Sequence, residues 1–222
     1  MPRIDPFYYR VARIALSVAA EHGFALGGGL ALIARGVLDR PTQDVDLFSD
    51  RDDSVRLAAD LVRAALQADG IAVVVEESDD DLTDLIGDLD EYMVELTAYR
   101  DAADVDGVRL SLGHLSRLRS PDVLDIGPVL HMDDLRAWKV AALVARAEPR
   151  DFIDVTAFLA DHTPAELLAE ARRVDPGIEE GDITAVAIRL ARIPDRELAN
   201  YGLDPDAVAT VRHRFAAWPT HP

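Results

Sequence analysis

The apolar periodicity of this chain changes once along its 222 residues, near residue 120, and that change limits what the chain can fold into. Before it, stretches with helical spacing alternate with runs of period two; after it, every apolar stretch has helical spacing. Residues 7–22 place Phe7, Val11, Ile14 and Val18 on one helical stripe, ended by His22-Gly23. A short apolar run at 24–26 leads into Gly27-Gly28-Gly29, and residues 30–35 read as a second helix with Gly36 just past it. Pro41-Thr42 reads as a turn, and residues 44–48 alternate polar and apolar as a strand does. An amphipathic helix follows over 52–68, with Val55, Ala59, Val62 and Leu66 on one stripe. The spacing then predicts a buried strand at 71–75 and further strands at 92–99 and 108–112. Pro121 and Gly127-Pro128 mark a linker, beyond which helices are expected at about 133–147, 151–161, 164–173, 182–193 and 204–217. The expected fold class is α/β (α+β), with an α/β domain over 1–120 and a helical domain over 121–222.

Composition narrows the function classes. Hydrophobic residues make up 49%, enough for a packed core, and no stretch approaches the roughly 20 apolar residues that span a bilayer. The first thirteen residues lack the apolar centre of a signal peptide, and cysteine is absent, which removes disulfides and thiolate metal sites. A cytoplasmic protein without a membrane association is expected. Asp and Glu number 41 against 23 Lys and Arg, for a net charge of −18. That balance argues against general coating of polyanions, which relies on phosphate neutralisation, and suits a protein that holds a divalent metal or docks a basic partner. Residues 76–91 concentrate nine acidic residues and no basic one, a contact surface for such a partner in a non-catalytic reading of the chain.

The local signal richest in chemistry is Gly27-Gly28-Gly29 followed by Asp44-Val45-Asp46-Leu47. Residues two apart on a strand point to one face, so Asp44 and Asp46 present both carboxylates to the same place. Carboxylates held that close repel unless a cation lies between them, and magnesium accepts such oxygens while sharing itself with substrate phosphates. The glycines let the backbone approach a triphosphate, and the helix start beside them favours anions. The bland alternative is a solvent-facing strand end after a glycine turn. Thr42, two residues before Asp44, either offers its hydroxyl to the same pocket or stabilises the Pro41 turn. Glu95, inside the strand at 92–99, either supplies a third metal-facing carboxylate or lies on a solvated face.

Of the 23 basic residues, 22 are Arg and one is Lys139. Lysine is a compact point charge and does not interchange with arginine at a reacting phosphate, which makes a single retained lysine informative. Lys139 lies on the stripe formed by Leu135, Trp138, Ala142 and Leu143. A lysine there either snorkels outward or meets an anion in a cleft, and its uniqueness favours the cleft. Asp151 and Asp154 are three apart and share a helical face. Asp151 fits a first-turn residue that complements the helix dipole, whereas Asp154 lies deeper, beside Val155 and Phe158, and is expected to partner Lys139 with Asp151 behind it. Arg109, Arg117 and Arg119 with His114 form the densest basic patch near the α/β part, either a guide for an RNA end or a solvated surface.

In this order, Gly-Gly-Gly-Leu-Ala-Leu at 27–32, Arg-Pro-Thr-Gln-Asp-Val-Asp-Leu at 40–47, Asp-Leu-Arg-Ala-Trp-Lys at 134–139 and Arg-Asp-Phe-Ile-Asp-Val at 150–155 resemble the nucleotidyltransferase toxins of the AbiEii family, including its shorter mycobacterial-type members. The resemblance covers roughly residues 20–160 and leaves the last 60 without a signature. It implies a polymerase-β-like nucleotidyltransferase core with a mixed sheet and a helical C-terminal domain. It further implies a magnesium-dependent enzyme that adds nucleotides from an NTP to the tRNA 3′ acceptor end, blocks translation and is neutralised by a cognate antitoxin. On that pattern Thr42, Asp44, Lys139 and Asp154 match active-site positions, and Asp46 completes the metal pair. The wider superfamily carries Gly-Ser before its Asp-x-Asp; here Gly29 follows Gly28, so backbone amides would replace the missing hydroxyl. A small-molecule nucleotidyltransferase of the aminoglycoside-modifying sort shares these features, and the negative charge suits a cationic acceptor.

Overall fold

The computed structural model describes residues 4–42, 44–51, 54–75, 93–101, 103 and 106–220, so the acidic stretch at 76–91 lies outside the described residues. The chain forms two compact units, one made of Met1–Gly36 and Thr42–His131, the other of Val37–Pro41 and Met132–Pro222.

The first unit is built on a seven-stranded mixed sheet. Helix α1 (Pro6–Ala19) starts at Asp5, whose side chain accepts from the Phe7 amide at 2.7 Å, with Pro6 in the first turn. A 3-10 turn at Ala20–His22 ends in Gly23 at φ 85°. The chain continues through β1 (Ala25–Leu26), α2 (Gly28–Ala34), β2 (Asp44–Ser49), α3 (Val55–Ala68), β3 (Ala72–Val75), β4 (Met93–Tyr99), β5 (Val108–His114), β6 (Asp122–Leu124) and β7 (Gly127–Val129). The strand order is β3-β4-β5-β2-β1-β7-β6, with β2–β5 and β1–β7 parallel and the other pairs antiparallel. In β2, Val45 and Leu47 are buried and alternate with Asp44, Asp46 and Phe48. The cross-strand neighbours of Val45 and Leu47 in β5 are Leu110 and Leu112, also buried, so one face of the sheet is apolar and the other carries the carboxylates.

Two expectations are corrected in this unit. The strand after α3 is not buried: β3 is an edge strand and Val74 is 52% exposed. An edge strand pairs on one side only, so an apolar run there reports pairing rather than core. The sheet also continues past residue 120, because residues 122–129 form the β6–β7 hairpin rather than a linker, and Leu26 of β1 pairs with Val129. Arg35 holds this hairpin through Asp122 Oδ2 at 2.6 Å and the Leu130 carbonyl at 2.7 Å.

The second unit is helical: α4 (Met132–Arg146), α5 (Pro149–Phe158), α6 (Pro164–Val174), α7 (Glu180–Arg192), α8 (Asp195–Ala199) and α9 (Pro205–Arg214), then a 3-10 turn at Phe215–Ala217. Proline in the first turn recurs in α5, α6 and α9, where its missing N–H costs nothing. Thr163 and Glu166 form a capping box at the start of α6. The core includes Phe152 edge-on to Phe215 at 5.2 Å, and Trp218, whose indole N–H donates to the Ile183 carbonyl at 3.0 Å.

Candidate active site

Each unit carries candidate residues of its own. In the first, β1 delivers the chain into the glycine turn directly opposite Asp46, and the Gly27 amide donates to the Asp46 carbonyl at 2.8 Å. Gly28 has φ +60°, and a Cβ built on it would lie 1.7 Å from Asp46 Oδ2. A Cβ on Gly27 would meet the Phe48 ring at 2.6 Å. The close approach that these glycines permit is therefore to the carboxylate and its neighbour on β2, while Gly29 is buried in the first turn of α2. Thr42 stands in the coil segment ahead of β2.

Asp44 and Asp46 share the polar face of β2, as a period of two requires. Asp44 sits beside Arg109 in the parallel β2–β5 register, and Arg109 Nε donates to Asp44 Oδ1 at 3.0 Å with Nη2 at 2.8 Å. Asp44 thus already draws a cationic side chain. Glu95 lies on the same face, but Ser111 of β5 stands between it and Asp46, a separation of about 9–10 Å across two strand spacings. Among the described residues no three His, Cys, Asp or Glu side chains gather closely enough to hold a metal, so Glu95 is not brought to the pair. Two carboxylates suffice for magnesium, which keeps waters and shares substrate phosphates, and the donor set of Asp44 and Asp46 on one strand face fits such a cation.

In the second unit, Asp154 of α5 is fully buried. Lys139 Nζ of α4 reaches its Oδ2 at 2.8 Å. Arg40 grips the same carboxylate as a fork, Nε to Oδ1 at 2.7 Å and Nη2 to Oδ2 at 2.8 Å. Burial alone would push the Asp154 carboxyl up, but the charge of Lys139 and the bonds and charge of Arg40 outweigh it and hold the group below its ordinary range. Asp151 does not stand behind Asp154 in this network. Its oxygens accept from Arg146 Nε and Nη2 at 2.9 and 2.8 Å and from the Glu148 amide at 3.1 Å, which closes the capping box of α5.

A family model, nucleotidyl transferase AbiEii toxin of the Type IV toxin–antitoxin systems, matches residues 12–199. The chain belongs to this family. Among solved structures it is similar to MenT4, a nucleotidyltransferase toxin from Mycobacterium tuberculosis, at TM-score 0.59 and 17% identity, covering 95% of this chain and 82% of that one. It is also similar to JHP933 from Helicobacter pylori, at TM-score 0.54 and 13% identity, covering 96% and 91%. At those identities the likeness is one of fold alone. No curated protein matches the sequence.

Within this AbiEii chain the expected basic patch is largely committed. Arg109 is on Asp44, and Arg117 pairs with Asp50 and donates to the Gly23 carbonyl at 3.0 Å. Arg40 is the site residue that the sequence reading did not assign. Its signal is electrostatic: a carboxylate deep in an apolar helix needs more than one flexible lysine to stay ionised.

Proposed function

We propose that this AbiEii-family chain is a magnesium-dependent enzyme that transfers a nucleotide from an NTP to the 3′ acceptor end of tRNA and so blocks translation. The observation that carries the reading is the carboxylate pair on the polar face of β2 with Gly28 seated against Asp46. Asp44 and Asp46 hold the cation. Bound there, magnesium supplies charge neutralisation for phosphoryl transfer. Lys139 binds the triphosphate as a point charge, and Asp154 fixes the ammonium through their 2.8 Å contact. The tRNA acceptor follows from the family resemblance, as does a cognate antitoxin that neutralises the chain. A cytoplasmic site of action accords with that substrate, and no described helix is long and apolar enough to cross a membrane.

A second reading rests on charge. At −18 the chain attracts a cationic small molecule more readily than a polyanion, as an aminoglycoside-type nucleotidyltransferase would. Induced expression in a bacterial host separates the two. The tRNA reading expects growth arrest that Asp44→Ala relieves, with extra nucleotides at tRNA 3′ ends. Unimpaired growth combined with nucleotide transfer to kanamycin would replace it with the second reading.

A further inference from the structure

The Arg40–Asp154–Lys139 cluster holds two cations on one carboxylate, a net charge of +1. All three side chains are withdrawn from solvent: Asp154 at 0% exposure, Arg40 at 6% and Lys139 at 13%. The two cations hold the anion differently. Arg40 spends a planar two-point fork on it, with Nη1 donating to its neighbour's Pro41 carbonyl at 2.9 Å, so its position is determined by geometry. Among the described residues Lys139 makes one ion pair, with Asp154, and keeps donor capacity on a rotatable ammonium. An unbalanced charge in so sheltered a place is costly unless an anion completes it.

We infer that Arg40 is the counter-ion of Asp154 and thereby leaves the charge of Lys139 uncompensated for a polyphosphate anion. Arg40 is a positioning residue: it acts through Asp154 on Lys139. The inference rests on the reading of Lys139 as the cation that holds the triphosphate. Without Arg40, Asp154 would neutralise Lys139, and the anion would meet a site of no net charge.

The charge logic yields a test that a merely structural role does not pass. Inorganic tripolyphosphate is titrated calorimetrically into the full-length protein, with circular dichroism to verify each fold. Arg40→Gln is expected to weaken binding by about tenfold or more, since the cluster that meets the polyanion falls from a net charge of +1 to none. Adding Asp154→Asn to Arg40→Gln removes the compensating negative charge and is expected to recover most of that affinity. Arg40→Lys keeps the charge but loses the two-point fork, and is expected to bind more tightly than Arg40→Gln and more weakly than wild type. Wild-type affinity in Arg40→Gln, or a double variant that binds no better than Arg40→Gln, would overturn the inference. So would an Arg40→Lys variant that folds yet binds as weakly as Arg40→Gln. Lys139→Met serves to separate the two levels: if it binds tripolyphosphate as wild type does, the reading beneath the inference has failed, whatever Arg40 does.

Discussion

Gly28 shows how tightly one position is specified. Its φ of +60° and the 1.7 Å approach that a Cβ would make to Asp46 Oδ2 leave no room for any side chain. Gly28→Ala is expected to cost about 1–3 kcal/mol in denaturant unfolding and to weaken Mn²⁺ binding at the carboxylate pair, read by electron paramagnetic resonance. A variant with unchanged Mn²⁺ affinity would show that Asp46 does not depend on this turn. Asp154 makes a pH prediction whose sign follows from its lowered folded pKa. Its contribution to stability is complete above the carboxyl's ordinary, unfolded range and is lost as pH falls through the lower folded value. Asp154→Asn should therefore be destabilised by about 3–5 kcal/mol at neutral pH, as two buried cations lose their anion, and the gap to wild type should narrow in acid. Equal gaps at pH 7 and pH 3 would contradict the assignment. Asp44 and Asp46 were legible in the sequence because a strand's period of two puts them on one face. Arg40 was not, because an arginine beside a proline looks the same in sequence whether it meets solvent or a buried carboxylate.

Elements carry a different kind of information. Helices α1, α6 and α9 start at Asp5-Pro6, Thr163-Pro164 and Asp204-Pro205, where proline and a short polar side chain satisfy a first turn without tertiary help. The same rule separates Asp151 from Asp154 although they share a helical face. Asp151 closes the α5 capping box and pairs with Arg146, so it belongs to the helix rather than to the anion network. Asp151→Ala is expected to lower stability by about 1–3 kcal/mol while leaving tripolyphosphate affinity within a factor of two of wild type. A loss of binding without loss of stability would return Asp151 to the site. The β6–β7 hairpin escaped the sequence because three-residue strands containing Gly127 and Pro128 have no periodicity to detect. It exists through tertiary contacts, chiefly pairing with β1 and the grip of Arg35 on Asp122.

For the whole molecule, the change of periodicity near residue 120 anticipated a sheet-containing part and a helical part. The family match over 12–199 places the chain in the AbiEii nucleotidyl transferase toxin family, and its fold resembles that of MenT4. Each unit carries part of the proposed chemistry, the carboxylate pair in the first and the Arg40–Asp154–Lys139 cluster in the second. The acceptor is the least legible property, because the net charge of −18 pulls against RNA while the family resemblance points to it. The most direct test incubates the purified protein with magnesium, total tRNA and each labelled nucleoside triphosphate in turn, beside Asp44→Ala. The account predicts label on tRNA from at least one nucleotide, reduced at least a hundredfold or so in Asp44→Ala because the metal's share of transition-state stabilisation is gone. No transfer from any of the four nucleotides, or transfer that survives Asp44→Ala, would contradict it.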